Sequence, residues 1–285
     1  MERLSDIGTI KKILSKHGFS FSKSLGQNFL INPDVCPKMA KMSGAGEGVG
    51  VIEVGAGIGV LTAELAKIAD KVVSIEVDSR LLPVLDETLS DFDNVKIVND
   101  DILKINLHEL IKNEFANMKV VVCANLPYYI TSPVIMRLLE EKLPIESITV
   151  MVQKEAADRI CAKVGTRNCG AVTVSVNYYA ETQKLFKVSA GSFIPAPKVD
   201  SAVIKLDIRK NPPIDVKNEK LFFSVVKSAF AQRRKTVINS ISNSMGIDKN
   251  KITKFFEDSE ISVNARAEQL SLTNFAEIAN FLSED

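Results

Sequence analysis

Tryptophan is absent from the chain, and histidine occurs only twice and cysteine four times among its 285 residues. His17, His108, Cys36, Cys123, Cys161 and Cys169 form no C-x-x-C pair and are too thinly spread for a zinc site, so no metal is expected. Cysteines this isolated fit a reduced cytosolic interior. Long apolar runs are missing too. None approaches the roughly 20 residues of a membrane span, and the opening MERLSDIGTIKKIL lacks the apolar core of a signal peptide. A cytoplasmic protein without membrane attachment is expected. Net charge is nearly absent: 36 Lys and Arg against 35 Asp and Glu leave +1, which excludes indiscriminate whole-surface binding of nucleic acid. What is present, 46% hydrophobic and 25% charged residues, makes a folded chain of one large domain and a small one.

The balanced charge is a sum of unlike parts. Residues 1–40 carry net +3, 41–136 net −6, 137–210 net +4, 211–240 net +4 and 241–285 net −4. Residues 49–153 read as alternating strands and helices. VGVIEV (49–54), KVVSIEV (71–77), VKIV (95–98), VVVCA (120–124) and ITVMV (148–152) are apolar runs with helical spacing between them, the pattern of a doubly wound α/β sheet. AVTVSVNYYA (171–180) and SAVIKLDI (201–208) read as two late strands without a helix between them, an antiparallel hairpin completing a mostly parallel seven-stranded sheet. KNPPID (210–215) is a breaker-rich linker, so a domain at 1–209 and an all-helical one at 210–285 are expected. Ahead of the sheet, DIGTIKKILSKHG predicts a helix, and Asn32 followed by Pro33 predicts the cap and first residue of another.

IEVGAGIGVLT places Gly55, Gly57 and Gly59 between a strand and a helix, where the chain must turn sharply and let a ligand approach its backbone. A dinucleotide loop, G-x-G-x-x-G, would need its third glycine at position 60, which is Val60. Glu76, 21 residues after Gly55, ends the second strand, where an acid can accept from both ribose hydroxyls. Asp101 follows the third strand and faces the adenine end, with Asp100 beside it as the blander solvated acid. S-adenosylmethionine fits this arrangement better than NAD: it has no pyrophosphate, and its cationic sulfonium suits an acidic site. After the fourth strand comes Asn125-Leu126-Pro127-Tyr128. The Asn125 side-chain oxygen and the Leu126 carbonyl can each accept a hydrogen of a planar amino group, Pro127 stiffens the turn, and Tyr128 can stack on the attached base.

Four segments, KSLGQNFL (23–30), IEVGAGIGVLT (52–62), NLPYYITSP (125–133) and SFIPAPKVDSAV (192–203), together with QRRKT (232–236), resemble the small-subunit ribosomal RNA adenine dimethyltransferases of the KsgA/Dim type. The resemblance implies a class I methyltransferase fold, Rossmann-like, with a small helical C-terminal domain that meets RNA and ribosome. It implies a monomer that moves methyl groups from S-adenosylmethionine to the N6 of two adjacent adenosines near the 3′ end of 16S rRNA, releasing S-adenosylhomocysteine and serving small-subunit biogenesis. Carried over, Asn28 and Leu30 contact the cofactor, Gly55 with Gly57 its methionine part, Glu76 its ribose and Asp101 its adenine. Asn125 faces both methyl donor and target amine, and Tyr128 and Phe193 enclose the flipped adenine. Arg233, Arg234 and Lys235 contact RNA. Three rival readings stand beside this one. Erm-type large-subunit methyltransferases share the cofactor site but tend to carry N-I-P-Y. An NAD(P)-dependent oxidoreductase requires a glycine at 60 and a Tyr/Lys or His constellation. A ribosome-assembly factor would bind the subunit without needing catalysis.

Overall fold

The computed structural model describes residues 4–19 and 28–283, so KSLGQ (23–27) of the first motif lies outside the described residues. Nine strands form two sheets. β1 (Phe29–Leu30) pairs antiparallel with β8 (Phe193–Ile194). The other seven are β2 (Val49–Val54), β3 (Lys71–Glu76), β4 (Val95–Asn99), β5 (Lys119–Asn125), β6 (Ser147–Gln153), β7 (Ala180–Val188) and β9 (Ser201–Ile208), in the order β4-β3-β2-β5-β6-β9-β7. The first five run parallel and β9 is antiparallel to β6, as expected of a class I methyltransferase sheet.

β2 is buried along its whole length, which is why its sequence is continuously apolar rather than alternating. Val49 and Val51 pack on one face in a cluster with Met39 and Leu65, from the helices Val35–Met42 and Val60–Ala66. On the other face, a Cβ at Gly50 would stand 2.1 Å from the Phe115 ring, so only glycine admits that ring against the strand. From β2 the chain moves outward through β3 to β4, then returns to the far side of β2 as β5. That reversal opens a crevice at the carboxyl edge between β2 and β5.

Two expectations are corrected. Ala171–Tyr179 is a helix, and the hairpin's edge strand begins only at Ala180. A short apolar β-branched run does not distinguish strand from helix, and burial decides it. Val174 and Tyr178, four apart, sink into a cluster with Phe222 and Val225. Thr173 supports the helix start, accepting the Gly170 N–H at 2.9 Å and donating to the Arg159 carbonyl at 2.7 Å. Asn32 is likewise not a helix cap. Its side chain accepts the Asp34 N–H in a turn, and the helix begins at Val35.

The chain divides into two compact units: residues up to Ala157 with Gln183–Ile208, and Asp158–Thr182 with Arg209–Asp285. The second therefore starts near the expected linker but also takes in the segment 158–182. Its helices Glu219–Phe230, Val237–Met245, Lys249–Asp258 and Leu272–Leu282 enclose Phe222, Ile241, Phe256 and Phe275. Asn218, Thr236, Asp248 and Ser271 cap the four N-termini through their side chains. No helix among the described residues is long and apolar enough to cross a membrane.

Candidate active site

Strand register assembles the centre of the site. Val54 pairs with Ala124 and with Ile75, so Gly55, Asn125 and Glu76 emerge side by side at the carboxyl edge. Glu76 is in turn level with Asn99, one residue before Asp100 and two before Asp101. Gly55, Gly57 and Gly59 all adopt positive φ (79°, 59° and 87°), which explains their identity. A Cβ at Gly59 would also press on Leu89 at 3.0 Å, whereas one at Gly55 would meet nothing within 4 Å, so its backbone faces open space.

That space is a cavity of about 370 Å3. Asn28, Leu30, Gly55, Gly57, Glu76 and Asp101, expected around a cofactor, all line it. So do Asn125, Leu126, Pro127, Tyr128 and Phe193, expected around a target base. The Tyr128 hydroxyl lies 2.7 Å from Ser201 Oγ on β9, which fixes the half-buried ring, while the next residue, Tyr129, is 59% exposed. Phe193 is buried in the core and lines the cavity at once, held there by β8, where it pairs with Leu30. Asp100 reaches the cavity as well as Asp101. Arg233, Arg234 and Lys235 are exposed, in the turn joining Glu219–Phe230 to Val237–Met245 rather than on a helix face.

The lining is acidic. Glu53, Glu76, Asp100 and Asp101 contribute to it, and no Lys, Arg or His does among the described residues. Glu76 Oε2 accepts the Gly57 N–H at 3.0 Å and Oε1 the Asp78 N–H at 2.8 Å, so the acid also shapes the glycine loop. Burial raises its pKa, and those backbone bonds oppose the rise. Glu53 was not singled out by sequence reasoning, although an acid inside an apolar strand was the available signal. It is 1% exposed, accepts Thr62 Oγ1 at 2.6 Å through Oε2, and leaves Oε1 without a partner among the described residues. Burial pushes its carboxyl up to about 7. Among the described residues the crevice is acidic and presents no cationic side chain, which with its open glycine backbone suits a cationic adenosyl ligand better than a pyrophosphate.

A family model described as ribosomal RNA adenine dimethylase matches residues 18–284. Ribosomal RNA small subunit methyltransferase A of Geobacillus thermodenitrificans (strain NG80-2) is 48% identical over 279 residues, 96% of this chain and 95% of the relative. The protein of that name from Clostridioides difficile (strain 630) is 45% identical over 283 residues, 99% and 98% of the two chains. Among solved structures, the 23S rRNA methyltransferase ErmE aligns with TM-score 0.68 at 26% identity, covering 90% of this chain and 100% of its own. A dimethyladenosine transferase from Plasmodium falciparum, at 24% identity and TM-score 0.71, shares the fold over 88% of this chain and 95% of its own. Matched through residues 18–284, with relatives at 48% and 45% identity over nearly their whole length, the chain belongs to the ribosomal RNA adenine dimethylase family.

Proposed function

We propose that the protein is an rRNA adenine N6,N6-dimethyltransferase that takes methyl groups from S-adenosylmethionine and places them on two adjacent adenosines near the 3′ end of 16S rRNA in the small ribosomal subunit. The observation that carries this reading is the meeting of the Asn125–Tyr128 turn with the glycine loop, Glu76 and Asp101 around one acidic cavity.

S-adenosylmethionine supplies, when bound, a methyl group on a cationic sulfur open to displacement. The chain's part is to bind and to orient. Gly55 and Gly57 admit the methionine portion against bare backbone. Each carboxylate oxygen of Glu76 retains a lone pair for a ribose hydroxyl after accepting its backbone N–H. Asp101 faces the adenine end, and Asn28 and Leu30 close the cofactor side. The target adenine must leave its stack to enter the pocket, where Tyr128 and Phe193 enclose it. The Asn125 side-chain oxygen and the Leu126 carbonyl accept the two N6 hydrogens, drawing the nitrogen toward a tetrahedral form with a localised lone pair. Rate then comes from positioning and fixed dipoles. The amino proton becomes acidic as the new bond forms and passes to solvent, so no histidine is required.

Arg233, Arg234 and Lys235, exposed and clustered in the second unit, are assigned to RNA phosphates. The Erm-type reading shares the cofactor chemistry, but the relatives at 45–48% identity bear the small-subunit name. Incubation with labelled S-adenosylmethionine and separated unmethylated small and large subunits tests the proposal. Label is expected in the small-subunit RNA, and label only in the large subunit overturns it.

A further inference from the structure

Arg137 lies on the helix Thr131–Glu140, which starts directly after the Asn125–Ile130 segment of the cavity wall. Its side chain is only 18% exposed. Nη1 donates to the Ile102 carbonyl, Nη2 to the Ile105 carbonyl at 2.6 Å, and Nε to Glu141 Oε1 at 2.5 Å. The two carbonyls belong to the irregular turn that follows β4, and Asp101, Ile102 and Leu103 of that turn line the opposite side of the site. The turn's own bonds are local: Lys104 N and Ile105 N donate to the Asp101 carbonyl, and Leu103 N to Asp101 Oδ1. They give it a shape, whereas the guanidinium reaches it from 32 and 35 residues further along the chain. A second tie runs the same way, between His108 Nε2 and the Glu141 carbonyl at 2.9 Å.

The chemistry requires arginine. A planar fork can satisfy two carbonyls and a carboxylate together, which a lysine point charge cannot. Glu141 balances the charge, so the contact does not leave an ion unpaired in a mostly buried place. We infer that Arg137 is a positioning residue: by gripping the Ile102 and Ile105 carbonyls it holds the Asp101–Leu103 wall against the helix Thr131–Glu140, which follows the Asn125–Tyr128 turn. This rests on reading the cavity as the S-adenosylmethionine site, with Asp101 at the adenosine end. The atoms assigned to the target amine, on Asn125 and Leu126, belong to a different segment. Loss of the grip therefore loosens adenosine binding without touching the groups that act on N6.

The test is calorimetry and steady-state kinetics on the full chain. In Arg137→Gln, affinities for S-adenosylhomocysteine and for 5′-deoxy-5′-methylthioadenosine, which lacks the amino-acid part, are expected to fall by one common factor on the order of tenfold. The KM for S-adenosylmethionine should rise to match, with kcat held within about twofold. Arg137→Lys keeps the charge beside Glu141 and one carbonyl bond, and should lie between the two. If the Gln variant does not fold, the Lys variant must still lose affinity for both ligands equally. Unchanged affinities, or a fall in kcat at constant KM, overturn the inference. If the wild-type chain itself binds no S-adenosylhomocysteine, the cofactor reading fails and takes this inference with it; wild-type binding with undiminished variant binding refutes the inference alone.

Discussion

Glu53→Gln isolates the least comfortable group in the molecule. The carboxyl sits inside β2 at 1% exposure, with Thr62 on one oxygen and no hydrogen-bond partner for the other among the described residues. Its register partner on β3 is Ser74, whose hydroxyl has no hydrogen-bond partner among the described residues either. Burial is the main cause that lifts the pKa from 4.5 to about 7, the Thr62 hydrogen bond opposes it, and Glu76 adds to the rise. A raised acid binds more protons folded than unfolded. Glu53's contribution to stability is therefore greatest below pH 4.5, falls as the pH climbs toward 7, and stays low above it. Raising the carboxyl from 4.5 to about 7 costs the ionised folded state on the order of 3 kcal/mol. Glutamine cannot ionise, keeps an oxygen for Thr62, and can donate to Ser74. The variant should match the wild type at pH 4 and exceed it by up to about 3 kcal/mol at pH 8, or roughly 5–10 °C in Tm. Urea or thermal unfolding between pH 4 and 8 measures this directly. An unchanged pH slope, or destabilisation at pH 8, would refute the assignment of the slope to Glu53. Ligand binding supplies a second arm. An ionised Glu53 favours a cation, so the variant should lose affinity for S-adenosylmethionine more than for the uncharged-sulfur product at pH 8, and equal losses would contradict that.

Asn125→Ala should lower the methylation rate by about a hundredfold or more while the circular dichroism spectrum is retained; near-normal turnover would dismiss the assigned role. Glu76→Ala removes a ribose acceptor and also the partner of the Gly57 and Asp78 N–H groups. It should weaken S-adenosylmethionine binding in the calorimeter and destabilise the fold by about 1–3 kcal/mol. Replacing Arg233, Arg234 and Lys235 together with Ala should weaken RNA binding and flatten its dependence on salt, whereas an identical slope would remove them from the interface.

The parts of the site that were legible beforehand are those whose chemistry is local. Three glycines at positive φ, an acid at the end of β3 and a proline-stiffened Asn-Leu-Pro-Tyr turn at the end of β5 carry their signals within a few residues. Parallel register then lines up strand ends, so reading each strand's last residue already located the crevice. Illegible were features set by distant neighbours. Val174 and Tyr178 chose helix over strand because Phe222 and Val225 were there to cover them. Asp100 is exposed, as its reading as a solvated companion of Asp101 implies, and only the turn shows that it also borders the cavity.

The sequence by itself determined the alternation of strand and helix, the positions where glycine is needed, and the acidic charge of the half that holds the glycine loop, because backbone conformation and side-chain charge are written residue by residue. Tertiary structure alone decided that Phe193 pairs with Leu30 across two short strands, that the Glu53 carboxyl is stranded in a strand interior, and that Arg137 grips a turn more than 30 residues upstream. Those contacts depend on which chain segments the packed core brings together, and burial, not spacing, sets their strength.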